Sequence, residues 1–217
     1  MFCAFFNAQN HYIVYDKIID VTGGFENVQE KNILVFDQES SLFFSYNGKF
    51  DEIQDFLNND VKIRSSKIIK NVFKENEYLI KDNSFTREIL FTIDHYLNYY
   101  WKIASDKPMK ILGFNCIKAT GEARGRKYEA WFTKEIPSNV GPWKFNGLPG
   151  TVLKVREMNN LITYEAVKIV LNKPFKQEIS SKLSFQFPEK KSEFLQYQQY
   201  INKENDHTRN IQEKISS

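Results

Sequence analysis

The sequence predicts an all-β fold with minor helix: a single strongly curved antiparallel sheet or half-barrel, with a short helix and a C-terminal helical tail. Three observations predict it. Aromatic residues make up 15% of the 217 residues, with 19 Phe and 11 Tyr, and such side chains fit the pleated surface of a sheet. Short apolar runs alternate with period 2 between Gly, Asn and Asp turn signals. Helical spacing of apolar residues is confined to two stretches. The length suits one domain that buries its core without disulfides or metals.

Residues 1–9, "MFCAFFNAQ", are apolar and Phe-rich. They read as the remnant of a signal peptide, against the alternative of a first strand. Cys3 is followed by "AFFNAQ" rather than a polar tether, which argues against lipidation. With that segment removed, Cys116 stands alone and reads as a small buried apolar residue. "HYIVYDKIID" alternates around Tyr12 and Val14 as the first strand and meets a turn at Gly23-Gly24. "NILVFDQESSLFFSYN" is a hairpin split by "DQESS". "KFDEIQDFLNND" sets Phe50, Ile53, Phe56 and Leu57 at helical spacing. Residues 61–82 form strands with a turn at 74–76. "TREILFTIDHYL" puts Ile89, Phe91 and Ile93 on one strand face, and His95 joins Ile93 and Leu97 as a core histidine.

"MKILGFNCIKAT" and "RKYEAWFT" form a hairpin about "GEARG". Leu112, Phe114 and Cys116 share a face of the first arm; Tyr128, Ala130 and Phe132 share one of the second. "TVLKVREM" and "LITYEAVKIVL" form another hairpin about Asn159-Asn160. In the tail, Phe194, Tyr197 and Ile201 follow i, i+3, i+7 spacing among polar residues, as on a surface helix. The organisation is a leader remnant over 1–9, a β domain over 10–187 and a helical polar tail over 188–217.

Most chemistries find no support in the residues. A net charge of +3 from 30 basic and 27 acidic residues is too balanced to imply nucleic acid or an anionic membrane surface. No stretch reaches the ~20 apolar residues of a transmembrane helix. His11, His95 and His207 are isolated, so no metal site is expected. Phosphate-cradling, dinucleotide and nucleophile-elbow motifs are lacking. The reading therefore names no catalytic residue, metal or cofactor. Glu129 and Glu135 are the carboxylate pair to inspect, and both read more simply as surface charges.

The stretch 137–150, "PSNVGPWKFNGLPG", mixes turn formers with large apolar groups. It belongs to a connection of about 17 residues between two strands, far longer than a hairpin loop. Gly141, Pro142, Gly147, Pro149 and Gly150 form its turn framework, and Leu-Pro-Gly suits a type II turn. Burying Trp143, Phe145 and Leu148 would contribute about 5–8 kcal/mol, so the loop folds back. It either plugs the open face of the sheet or rims a cavity. Trp131 lies on the mixed face with Lys127 and Glu129, where it meets Trp143 as an aromatic platform or packs under the loop. Arg124 and Arg126 flank "GEARG" as solvated hairpin residues, Arg126 paired with a cross-strand acid, or as a bidentate site for phosphate or carboxylate.

Residues 99–155 carry Trp101, "ILGFNCIKA", "RGRKYEAWFTKEIP" and "GPWKFNGLPG" in that order. This resembles the GLPGLI family of exported Bacteroidetes proteins, whose function is unassigned. The family's run continues with Leu-Ile where this chain has Thr151-Val152. The resemblance implies an exported protein, periplasmic, outer-membrane-associated or secreted. A similar module preceding a glycan-releasing amidase hints at accessory binding. The expectation is a non-catalytic envelope binding module for an apolar, peptide or glycan ligand, with Trp131, Trp143, Phe145, Leu148, Arg124 and Arg126 as candidate contacts. The alternatives are a structural or interaction component with an envelope protein as partner, and a hydrolase whose carboxylates assemble in space.

Overall fold

The computed structural model describes residues 10–20, 28–49, 53, 65–84, 88–105, 108–159, 161–173 and 187–216. Its strands in chain order are β1 (Asn10–Ile19), β2 (Val28–Phe36), β3 (Ser40–Ser45), β4 (Lys67–Val72), β5 (Glu77–Asp82), β6 (Leu90–His95), β7 (Lys102–Ile103), β8 (Met109–Ile111), β9 (Phe114–Ala123), β10 (Arg126–Thr133), β11 (Thr151–Glu157), β12 (Ile162–Lys173) and β13 (Leu195–Gln196). Helix α1 (Tyr197–Ser216) follows. The expected leader remnant, the Gly23-Gly24 turn and Asn160 lie outside the described residues. So does the expected helix over 50–57, save Ile53, which is helical and fully buried.

The strands lie side by side in the order β13-β6-β5-β4-β3-β2-β1-β12-β11-β10-β9-β7, with β8 folded back onto β9. Two antiparallel meanders, β1–β6 and β9–β12, are thus joined where β1 pairs with β12. Among the described residues the path does not close into a barrel. Turn chemistry sets the hairpins. Arg124 and Gly125 both take positive φ, 51° and 75°, which matches the twist of the flanking strands. Leu112 and Gly113 do the same at 49° and 90°. This moves Leu112 from the expected strand face into a half-exposed turn, because "ILGF" is itself a tight hairpin between β8 and β9.

Two cores use alternate residues of the same strands. Ile13, Tyr15, Leu34, Phe43 and Ile69 of the first meander meet Ala130, Phe132, Val155 and Tyr164 of the second in one interior core. The two halves therefore face each other across a trough. The opposite face of β1–β4, with Tyr12, Val14, Ile33, Leu42, Phe44 and Ile68, packs a second core with Ile53, Phe187 and Phe194. Cys116 is buried, and burial pushes its thiol up to about 11, so it is inert at neutral pH.

Three expectations need correction. Ile89 precedes β6 and is half exposed, while Thr92 and Asp94 of that strand point into the interior. His95 is not a core histidine: its side chain is 74% exposed, at the strand end where the outer core stops, 4.0 Å from Glu77. The tail helix begins only at Tyr197, since Phe194 fills the outer core and Leu195–Gln196 pairs in parallel with β6. That pairing covers an edge that would otherwise be open.

The connection from β10 to β11 enters the trough. Thr151 anchors its base, the hydroxyl donating to the carbonyls of Ile136 and Ser138 at 3.0 and 2.9 Å. The hydroxyl thus has a use at the position where the GLPGLI run has leucine. Val152 N–H donates to Val140 at 2.8 Å. The Leu-Pro-Gly turn is tighter than type II: Gly150 N–H donates back to Leu148 at 2.8 Å and Gly150 has φ 151°, closing a three-residue turn. A Cβ on Gly150 would lie 2.2 Å from the Thr133 carbonyl, whereas one on Gly147 would meet nothing nearer than 3.8 Å. Gly150→Ala should therefore lower stability by about 2–3 kcal/mol and Gly147→Ala, at φ 83°, by about 1–2. Urea midpoints would check the order, and equal losses would contradict this account of Gly150.

Candidate functional site

At the end of the trough beside the β9–β10 turn, charged residues line the interior together with the edge of the apolar core. Lys17 pairs with Glu30 at 2.9 Å, Lys67 with Asp82 at 2.6 Å and Arg126 with Glu157 at 3.5 Å. Lys17, Glu30, Lys67, Arg126 and Glu157 line, with Arg124 and Asn32, a cavity of about 580 Å³; Asp82 is buried behind Lys67. Phe43, Tyr128, Phe145 and Tyr164 supply apolar lining, and Trp143 and Tyr197 stand at its wall.

Helix α1 closes against this end through tyrosines. Tyr200 donates to buried Asp82 at 2.7 Å. The Arg124 guanidinium sits 3.7 Å from the centre of the Tyr197 ring and makes two bonds to Asp94, at 2.8 and 3.1 Å.

Lys144 of the plug completes the group. Its carbonyl accepts from Tyr78 at 2.9 Å and Tyr99 at 3.3 Å. Its Nζ donates to Asp94 at 2.8 Å and lies within 5.0 Å of the Trp143 and Tyr197 ring centres. Burial is the largest influence on this amine and lowers its pKa from 10.5 to about 8, with Asp94 opposing. Between about pH 8 and 10.5 the native lysine is therefore neutral while the unfolded one still holds its proton. Stability must rise with pH across that window. Burial raises Tyr15, Tyr78, Tyr99 and Tyr164 above their ordinary 10, so above pH 10 the sign reverses as the unfolded chain loses phenolic protons. Chemical denaturation should show stability rising by about 1–2 kcal/mol from pH 8 to 10, less so in Lys144→Met. A wild-type slope no steeper than that of the variant would refute the assignment.

The expected contacts divide into three places. Arg124, Arg126, Trp143 and Phe145 come together at the cavity. Leu148 is buried in the core cluster as part of the plug. Phe145 is also buried, its ring meeting those of Tyr99, Tyr128, Trp143 and Tyr164. The loop is thus a plug along most of its length and a rim at Trp143. Trp131 does not extend that platform: it alternates with the inward Ala130 and Phe132 and is flanked by Lys118, Lys154 and Arg156 on the other face. Glu129 and Glu135 have separate partners. Lys118 and Arg156 hold the Glu129 carboxyl below its usual range, and Glu135 accepts from Asn115. Sequence reasoning missed Asp94, Lys144, Tyr197 and Lys67, whose pairing spans as many as 133 positions.

A family of proteins of unknown function, Porph_ging, matches residues 121–154, from the end of β9 through the plug into β11. No curated protein matches. Among solved structures, PNGF-II in two crystal forms is similar in fold. One form gives a TM-score of 0.61 at 22% identity over 90% of this chain and 33% of its own. The other gives 0.57 at 22% over 81% and 29%. The chain thus spans about a third of the length of the PNGF-II chain it matches.

Proposed function

We propose that the chain is an exported, non-catalytic binding module of the bacterial envelope, of the GLPGLI type, which holds a glycan or peptide ligand beneath Trp143. The observation that carries this reading is the conformation of Trp143. It is half-buried at the cavity wall with φ 52°, a strained value for a bulky residue that persists only where surrounding packing imposes it. The plug supplies that packing, and the ring is presented to a cavity carrying Lys17, Lys67, Arg124 and Arg126. An aromatic face beside paired guanidinium, ammonium and carboxylate groups suits a polar sugar ring or peptide.

The non-catalytic reading is supported by the state of the interior acids. Glu30, Asp82, Asp94 and Glu157 are each held by a cation. The likeness to a third of a larger chain fits a module that works beside others. Native mass spectrometry of the gently purified exported protein tests the proposal. We expect a co-purifying mass that disappears in Trp143→Ala while cooperative unfolding persists. A bare polypeptide mass in both proteins would sink the reading and favour a structural component.

A further inference from the structure

Opposite charges line the cavity beneath Trp143, and their arrangement discriminates between ligands. We infer that this cavity takes a short zwitterionic peptide, its free carboxylate on Arg126 and its free ammonium on Glu30. This rests on the reading of the cavity as a ligand site and chooses between the glycan and the peptide named there.

Two of the cations in the wall are committed elsewhere. Lys67 is held by buried Asp82 at 2.6 Å, and Arg124 is engaged by Asp94 and the Tyr197 ring. Arg126 differs. Its side chain is 54% exposed, and among the described residues only its Nη1 reaches a carboxylate, at 3.5 Å from each Glu157 oxygen. A contact that long is at the weak limit of a hydrogen bond. A guanidinium carries five donors, so the rest of the fork can hold a carboxylate through two parallel bonds. Glu30 offers the opposite sign. Its side chain is 31% exposed, and Lys17 bonds its Oε2 at 2.9 Å, so a second ammonium can take Oε1.

The mixture of signs decides the ligand class. Lys17, Lys67, Arg124 and Arg126 stand in the wall with Glu30 and Glu157, so a ligand of one sign meets charges of its own sign. A neutral sugar would take the exposed ends of Arg126 and Glu30 out of water and return no counter-charge. A zwitterion supplies both. Tyr164 lies between the two ends, since its strand β12 pairs with β1, which carries Lys17, and with β11, which carries Glu157. Two strand spacings come to about 10 Å. An extended chain advances about 3.3–3.6 Å per residue, so about three residues bridge those strands. Trp143, Phe145 and Tyr164 offer ring faces to the side chains between the ends.

The test is an amide-resolved NMR titration of the whole chain with the peptides Ala-Phe-Ala and Ala-Phe-Phe-Ala. Each is used free at both ends, N-acetylated and C-amidated, with maltotriose as the neutral sugar, all to their solubility limits. We expect saturable shifts at Glu30, Arg126 and Trp143 with a free-ended peptide, and binding weakened about tenfold when either end is blocked. Arg126→Met should abolish the preference for a free carboxylate and keep that for a free amine. Glu30→Gln should do the reverse, and it serves alone if Arg126→Met, which strips Glu157 of its cation, fails to fold. Equal affinity for free and blocked peptides overturns the proposal, as do shifts with maltotriose alone, and either result leaves the cavity a ligand site. Silence with every probe overturns it as well, and the ligand-site reading is then judged separately by the co-purifying mass.

Discussion

Replacing Phe145 with alanine is expected to cost about 3–5 kcal/mol, the range for emptying a buried aromatic site. Among the described residues four rings meet Phe145, at centroid separations of 5.0 to 6.4 Å. They come from three separate parts of the chain, Tyr99 ahead of β7, Tyr128 of β10 and Tyr164 of β12, with Trp143 beside it in the plug. These groups cannot collapse together without moving the strands that carry them, so the void would persist. Denaturant midpoints should fall accordingly, with m unchanged if the native sheet survives. A loss under about 1 kcal/mol would mean that the plug is not part of the core.

Asp94 should prove comparably sensitive. Its carboxylate is 5% exposed and receives both Lys144, itself 4% exposed, and Arg124. Asp94→Ala strands the lysine ammonium in a site from which water is excluded, at a cost of about 3–5 kcal/mol. The cost belongs to the abandoned charge rather than to the pair. Asp94→Leu combined with Lys144→Met should therefore recover most of it. Equilibrium unfolding of the two proteins distinguishes the cases, because additive losses in the double variant would contradict the argument. Protease sensitivity within α1 should rise in the single variant, since Arg124 then loses the anion that orients it over Tyr197.

The sequence shows the hairpins clearly and the tertiary pairings poorly, for physical reasons. Asn76 and Gly125 occupy turns that local chemistry specifies, and the alternation of Tyr128, Ala130 and Phe132 specifies an inward face. The Leu112-Gly113 turn, by contrast, hides inside a run that alternates like a single strand. Alternation fails in β1–β4, where Tyr12 to Tyr15 are all buried because both sheet faces are covered. His95 looks like a core residue until the strand end is located. Lys144 and Asp94 look like solvated charges, because nothing within fifty residues of either shows that the plug brings them together. For the same reason Arg124, Arg126, Trp143 and Phe145 can be selected from composition and turn context, while Trp131, equally aromatic, falls on the other face through the parity of its strand.

The seam between β1 and β12 bears on how the chain assembles. Each meander joins neighbours in sequence, so its hairpins close at little entropic cost. The seam instead joins Asn10 to Lys173 and Ile19 to Ile162, and the Tyr15 hydroxyl bonds the Val152 carbonyl across 137 positions. Contacts so distant along the chain form slowly. Until they form, β1 presents Ile13, Val14 and Tyr15 along an unpaired edge that can recruit other chains. Refolding yield should therefore fall steeply with protein concentration, and the refolding rate should be set by closure of this seam rather than by any one hairpin.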